Sequence, residues 1–458
     1  MRNITQYTLL VGGYFSNISV FTFDPAATTS VANSTLPPAG NSTLPATLPS
    51  AANATGLKFD GAVAHPANPT WFETECGLFA AAESAANVVT RLRRRRPGAL
   101  GLISSSYSNG TISYIPLLRE TGANTTLPIS NSTATSGNGS AAAAAPASPA
   151  GGNGSALAGA LAAGTAEGRS FGKAVTLRFN ATYPNGTAPQ DQSRAHSSLV
   201  HGGKIYTADL GSDRIWISRW ANGSLTLEGS IQTPKGFGPR HMVVIQPDET
   251  PAAPSLPSND SSASASPIST PSAAGSAVKS AALAPRASPT LVTPGTNATK
   301  PRSAILYVVG ELSNKVAAFE LDSPSKPLFE ESVIPPGLNA TGMAAGEIMQ
   351  NPRNASQLFV SNRLAAKSNP NVTGDAVTIL TLSADRRAVA GKRFVDTHLN
   401  NIRGMKFSPH GDFLALAGIE KGIAIYAEQN GNWTQVAKYD DIEQAADFAW
   451  IAGKSYSA

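Results

Sequence analysis

AILYVVGELSNKVAAFEL, residues 304–321, is the stretch that decides the fold. An apolar run is followed by a short polar turn at Glu311–Asn314, and a second strand-like run continues to Leu321. Short apolar or alternating runs bounded by turn residues signal strands. Two of them around a few polar residues signal an antiparallel hairpin. The same unit recurs along the chain. It appears as QYTLLVGGYFSNISVFTF (Gln6–Phe23), GLFAAAESAANVVTRL (Gly77–Leu92) and ALGLISSSYSNGTISYIPL (Ala99–Leu117). It returns as KIYTADLGSDRIWISRW (Lys204–Trp220), QLFVSNR with AVTILTL (Gln357–Leu382) and DFLALAGIEKGIAIYAE (Asp412–Glu428).

Seven copies of one strand–turn–strand unit predict an all-β fold, a seven-bladed β-propeller with about four strands per blade. MVVIQP (Met242–Pro247) and GMKFSP (Gly404–Pro409) are expected as inner strands, and WTQVAKYD (Trp433–Asp440) as an outer one. DFAWIAG (Asp447–Gly453) resembles an inner strand without partners after it, whereas Gln6–Phe23 lacks an inner strand before it. Joining the two in one blade would close the ring and remove exposed edges. One place breaks the pattern: only RRRRPG separates NVVTRL from ALGLIS. That is too short for an outer strand plus the next inner one at about 3.3 Å per residue, so part of a blade is expected to be missing or remodelled.

Three stretches, 25–56, 121–170 and 250–302, are mostly Ala, Ser, Thr, Pro, Gly and Asn. They lack the apolar periodicity that offsets chain entropy and are expected to be disordered low-complexity insertions in a single propeller domain spanning 1–458. The net charge of +5 is modest, and the one dense basic run, Arg91–Arg96, has no aromatic interleaving. It is expected to be a solvated strand end or loop, with no nucleic-acid partner. Cys76 stands alone, which excludes an intrachain disulfide and a Cys-rich metal site. No apolar run is long enough for a transmembrane helix.

Nineteen of the 28 asparagines lie in Asn-x-Ser/Thr, where chance would place about six. This excess points to glycosylation in the secretory pathway. Met1 is nevertheless followed at once by strand-like YTLLVGGY, without a leader pattern. A secreted or cell-surface protein whose leader precedes this start is expected, the alternative being a cytoplasmic one.

Nearly all the chemistry-bearing residues gather between His196 and Arg363. His196 opens the fourth unit at an inner-strand position, while His201 in HGGK is expected to face solvent. Arg240 and His241 follow GFGP, where Pro239 fixes φ and the glycines allow a tight approach. Arginine offers a planar fork suited to carboxylate or phosphate. Glu311 ends an apolar strand, a costly place for a carboxylate unless it is paired, and Arg240 is a plausible partner. Glu347 in AAGEI has the same character and is a weaker candidate. Arg363 in LFVSNR and Arg403 in NNIRGM each stand beside an inner-facing strand. Asp209 and Asp213 in ADLGSDR are read as turn formers. His, Glu and Arg without a metal or cofactor motif suit acid–base chemistry on an anionic substrate.

GPRH, YVVGELSNKV, AAGEI with LFVSNR, and IRGMKFSPHGDFLALAG resemble motifs of the propeller family of 6-phosphogluconolactonase and carboxy-cis,cis-muconate cyclase. NPTWF and SSYSNGTISYIPL match more weakly. The cyclase branch implies a site of one His, two Arg and a Glu, falling here on His196, Arg240, Glu311 and Arg363. The lactonase branch adds His241 and Arg403 as anion-binding residues. The resemblance implies a metal-independent lactonase acting on a small anionic lactone. Arginines would bind the anion, and Glu311 or His196 would move the proton. Two alternatives stand beside it. One is a muconate cyclase with a polycarboxylate substrate; the other is a non-catalytic glycosylated surface-binding propeller.

Overall fold

The structure, a computed structural model, describes residues 6–15, 17–27, 56–64, 69–75, 78–83, 88–92, 100–119, 169–171, 173–181, 186–246 and 303–452. These form seven antiparallel sheets, the blades of a β-propeller. Each inner strand touches the inner strand of the next blade, and the cycle of seven closes on itself.

From the channel outward, blade 1 is Ala445–Ala452, Tyr7–Gly13, Asn17–Phe23 and Leu57–Ala64. Among the described residues, blade 2 holds two strands, Pro69–Glu75 and Leu78–Glu83. Blade 3 is Val88–Leu92, Leu100–Ser106 and Thr111–Arg119, with Arg169–Phe171 and Val175–Arg178 both paired to the last. Blade 4 is Ala195–His201, Lys204–Asp209, Arg214–Ala221 and Ser224–Gln232. Blade 5 is Pro239–Ile245, Ile305–Gly310, Lys315–Glu320 and Phe329–Ser332. Blade 6 is Ala344–Asn351, Asn354–Arg363, Ala376–Leu382 and Val389–Asp396. Blade 7 is Asn400–Phe407, Phe413–Glu420, Ile423–Gln429 and Asn432–Tyr439. Helical geometry among the described residues is confined to two short 3-10 turns, Pro25–Ala27 and Ala365–Lys367.

The run ILYVV explains how such blades pack. A strand at mid-sheet in a stacked blade is buried on both faces, so it reads as continuously apolar. Ile305, Tyr307 and Val309 face blade 6 and pack on Leu358 and Val360. Leu306 and Val308 face blade 4 and pack on Tyr206 and Ile215. Blades 6 and 7 meet through Phe359, Leu416 and Trp433, and blades 7 and 1 through Ile425, Leu9 and Phe21. Each of these large side chains contributes roughly 1.5–3 kcal/mol by leaving water.

The ring closes as the terminal strands predict: Leu9 pairs with Trp450 and Val11 with Phe448. The irregular stretch near Arg91, however, resolves differently from the expectation. Gly77–Leu92 is no hairpin of its own: Leu78–Glu83 pairs back to Pro69–Glu75, whereas Val88–Leu92 pairs forward to Leu100–Ser106. RRRRPG thus lies in the link between two strands of blade 3, and the deficit falls on blade 2. Residues 84–87 are all that separate the two blades, too few for two more strands at about 3.3 Å per residue. Cys76 and Arg93–Arg96 lie outside the described residues, as do the three low-complexity stretches apart from 25–27, 56 and 169–170.

Successive blades are tied by a repeated clip at the turn between second and third strands. In blade 4, Asp213 takes the Thr233 N–H on its carbonyl, and its carboxylate accepts from the Gly236 and Gly238 N–H groups of the next blade's entrance. In blade 5, the Asn314 carbonyl takes the Val333 N–H, and its amide donates to the Met343 carbonyl. In blade 6, the Asp375 carbonyl takes the Thr397 N–H, and its carboxylate accepts from Asn401 N–H. A buried carboxylate that accepts several backbone N–H groups satisfies donors that would otherwise be orphaned. Asp209 is a turn former as well, accepting from the N–H groups of Arg194, Gly211 and Ser212 and from Trp216 Nε1.

Candidate active site

The hairpins of second and third strands run in unbroken register in blades 1, 3, 4, 5, 6 and 7. The inner strands do not. In blade 4 the pairing skips from Ala195 to Ser197, in blade 5 from Pro239 to His241, and in blade 6 from Ala345 to Ile348. In blade 7 it skips from Ile402 to Gly404, and in blade 1 Ala446 is passed over. A β-bulge adds an unpaired residue to one strand and re-aims its side chain. The bulged residues include His196, Arg240, Glu347 and Arg403, so four chemistry-bearing groups are offered from equivalent places around the channel.

Local sequence explains the entrance at blade 5. Gly236 and Gly238 adopt φ of 73° and 62°, a left-handed backbone that favours glycine. At Gly238 a Cβ would also lie 2.5 Å from Leu312 Cγ. The turn delivers Arg240, whose carbonyl accepts from Ser197 Oγ at 2.5 Å. Glu311 is brought over Arg240 by its own backbone: its N–H donates to the Gly238 carbonyl, and its carbonyl accepts from Ala345 N–H. On blade 6, Gly346 leaves room beside Ser361 and Arg363, since a Cβ there would meet Ser361 Oγ at 2.4 Å.

The resulting network crosses three blades. Arg240 Nε stands 2.9 Å from Glu311 Oε2, and its Nη1 3.0 Å from Glu347 Oε1 while also donating to the Gly346 carbonyl. Arg363 Nη2 lies 2.8 Å from Glu311 Oε1 and donates to the Ala345 carbonyl. His241 Nε2 is 3.2 Å from Glu347 Oε1. The His196 ring meets the His241 ring edge-on at 4.9 Å and the Tyr107 ring at 5.6 Å. These contacts use Nε and Nη1 of Arg240 and Nε and Nη2 of Arg363, leaving one terminal nitrogen of each fork outside them. Lys406 and Asp447 pair at 3.0 Å on the neighbouring inner strands of blades 7 and 1.

Charge and burial set the protonation states. Burial pushes the Glu311 carboxyl up, but Arg363 and Arg240 overcome it and hold it at about 2. Glu347, more deeply placed, is raised by burial against the pull of Arg240, with Asp447 adding to the rise, and reaches about 7. Burial and then Arg240 depress His196 to about 3 and push His241 well below its ordinary value. Both imidazoles are therefore neutral near pH 7, and His196 Nδ1 is buried without a hydrogen-bond partner. Burial lowers Arg363 and Arg403.

Of the residues read from the sequence, His196, Arg240, His241, Glu311 and Arg363 come together in one network, and Glu347 sits at its centre. Arg403 stands apart on the next inner strand, its guanidinium 5.5 Å over the Tyr14 ring. No carboxylate partner is found for it among the described residues. His201 lies outside the site; instead of facing solvent fully it is half-buried, with Nε2 3.1 Å from Gln246 Nε2. Tyr107, Lys406 and Asp447 carry no sequence signal beyond their strands and turns. No cluster of His, Cys, Asp or Glu among the described residues could hold a metal ion.

The family model for the lactonase seven-bladed β-propeller matches residues 164–450. No curated protein shows a significant match to the chain. Among solved structures, a candidate 6-phosphogluconolactonase of Bacteroides uniformis superposes with a TM-score of 0.56 at 15% identity, covering 98% of this chain and 100% of that one. A second, from Bacteroides fragilis, gives 0.55 at 14% identity, with 98% of each chain covered. The periplasmic gluconolactonase of Pseudomonas aeruginosa gives 0.54 at 15%, covering 98% and 99%. At such identities the likeness is one of fold.

Proposed function

The chain belongs to the lactonase seven-bladed β-propeller family, and from that premise we propose that it hydrolyses a small anionic lactone, with 6-phosphogluconolactone as reference substrate. One observation carries the proposal: among the described residues, the channel side of blades 4 to 7 and blade 1 holds more cations than its carboxylates can neutralise. Arg240, Arg363, Arg403 and Lys406 face Glu311, Asp447 and Glu347, and the last is only partly ionised near neutral pH. Arg403 in particular is a guanidinium raised on a bulge without an anionic partner among the described residues. A buried cation of this kind is costly unless an anion joins it.

In this reading Arg403 and the remaining terminal nitrogens of Arg240 and Arg363 receive the anionic group and the developing oxyanion. Glu311, with both oxygens engaged, fixes the two arginine forks relative to one another. His196, neutral and with an unpartnered Nδ1, hydrogen-bonds the reacting carbonyl or ring oxygen. A secretory location belongs to the same reading. It is supported by exposed sequon asparagines in turns and strand ends: Asn109, Asn180, Asn222, Asn339, Asn371 and Asn432.

The test is turnover of the purified protein on two substrates in parallel. 6-Phosphogluconolactone is followed by proton release, and 3-carboxy-cis,cis-muconate by loss of diene absorbance. Hydrolysis of the first alone is expected, with Arg403→Met raising KM at least tenfold by loss of a charged contact. Turnover of the muconate alone, or of neither by a folded sample, sinks the proposal.

A further inference from the structure

Neither acid–base group read from the sequence is matched to proton transfer near neutral pH. Glu311 is committed to two guanidiniums, and His196 is buried among cations. A general base works best with a pKa near the working pH. The remaining pair, deeper in the channel, has the geometry for it: His241 Nε2 stands 3.2 Å from Glu347 Oε1. We propose that Glu347 is the catalytic base of the site, with His241 and Arg240 as the residues that position its carboxylate. This rests on the hydrolase reading above.

Glu347 is fixed before it meets His241. It occupies the bulge of the blade 6 inner strand, where its N–H donates to Ser361 Oγ at 2.9 Å. Ser361 Oγ in turn donates to the Ile402 carbonyl of blade 7. Glu347 Oε1 is held from a second side by Arg240 Nη1 at 3.0 Å. Only 8% of the Glu347 side chain is exposed, against 19% for Glu311. Among the described residues, charged and titratable groups face the pair from several blades. They are Arg240 on the strand of His241, His196 from blade 4, Arg363 from blade 6, Lys406 from blade 7 and Asp447 from blade 1. Two carboxylates whose surroundings drive them apart, one held at about 2 and the other raised to about 7, mark a division of labour between a fixed charge and a proton-exchanging group.

Arg240 Nη1 and His241 Nε2 both face Glu347 Oε1, at 3.0 and 3.2 Å, and fix the carboxylate so that its other oxygen takes the proton. Water gives a proton to the ionised Glu347 while its oxygen bonds to the lactone carbonyl carbon. The oxyanion is stabilised by the arginine forks. Collapse of the tetrahedral adduct breaks the ring C–O bond, and the proton passes from Glu347 to the ring oxygen. One water is consumed and one hydroxy acid is released.

Two measurements test the assignment. The first is the pH dependence of kcat/KM on 6-phosphogluconolactone. The wild type should lose activity tenfold per pH unit below about 7, the value at which Glu347 takes up its proton. Glu347→Gln should lose that limb and roughly 10²–10⁴-fold in kcat, with KM little changed, and Glu347→Asp should restore a limb at a shifted pH. Lys406→Met, which removes a cation that favours the Glu347 carboxylate, should move the wild-type limb upward. It serves if Glu347→Gln does not fold.

The second is infrared difference spectroscopy without substrate. A protonated-carboxyl C=O band should vanish as pH rises through about 7 and be absent from Glu347→Gln. A Gln variant that keeps the limb, a Met variant that leaves it unmoved, or no carboxyl band titrating there overturns the assignment. A titrating Glu347 band without turnover of any lactone would leave the proton-exchanging Glu347 standing and remove the hydrolase reading instead.

Discussion

The channel layer of the propeller and the hairpin layer behind it are built from the same strands under opposite rules. In the hairpin layer, second and third strands pair without a break, and their side chains fill the seams between blades. In the channel layer of blades 4 to 7 and blade 1, the ladder is interrupted at one end of every inner strand, and polar groups collect at the interruptions. The first layer should carry stability and the second activity. Substitutions in each can break that division or sharpen it.

Arg240→Ala is expected to have the largest effect and to blur the boundary. It strips one anion-binding fork, worth roughly 10²–10³-fold in kcat. It also leaves Glu347 and Glu311 without their shared partner, and removing one member of a buried ion pair costs about 3–5 kcal/mol of stability. Lactone turnover and denaturant melts of the same preparation measure both.

Phe359→Ala keeps to one side. Phe359 packs edge-on against Phe407 at 5.0 Å and Trp433 at 5.3 Å in the seam between blades 6 and 7. Emptying that place should cost about 3–5 kcal/mol, with turnover per folded molecule unchanged. A fall in kcat of the folded fraction would show that the seam, and not only the channel, sets the site.

Glu311→Gln gives the smallest stability effect and a pH signature. A carboxyl held at about 2, below its ordinary 4.5, adds stability that is present above the ordinary value and is lost as pH falls through the folded one. Melting temperatures of the wild type should therefore decline between pH 4.5 and 2 more steeply than those of Glu311→Gln. Equal slopes would mean that the arginine clamp contributes no stability.

The same division explains what could be read from the chain before folding was considered. Strand periodicity survives where register is unbroken, so ILYVVG, KIYTAD and FLALAG announce their hairpins. The glycines and proline of GFGPRH announce a turn. A bulge inserts one residue into the period of two, so the side chains that it re-aims, Glu347 above all, give only a weak signal. Lys406 and Asp447 look like ordinary polar positions of amphipathic strands, because their pairing joins residues far apart in sequence. NVVTRL pairs with ALGLIS and not with LFAAAE, although by local pattern the two are equally good strand neighbours. Chain length between blades 2 and 3, not local pattern, decides between them.

Blade 1 carries a consequence for how the protein comes into being. Its inner strand pairs Trp450 with Leu9 and Phe448 with Val11, so the first blade stays incomplete until nearly the whole described chain has left the ribosome. Contacts of such sequence separation form late and slowly. Until they do, Tyr7–Gly13 presents an unpaired edge to its neighbours. Once they form, blade 1 is a sheet sewn from the first and last described strands, and the ring cannot open there without breaking it. Maturation is thus a single late event, and resistance to unravelling arrives with it all at once.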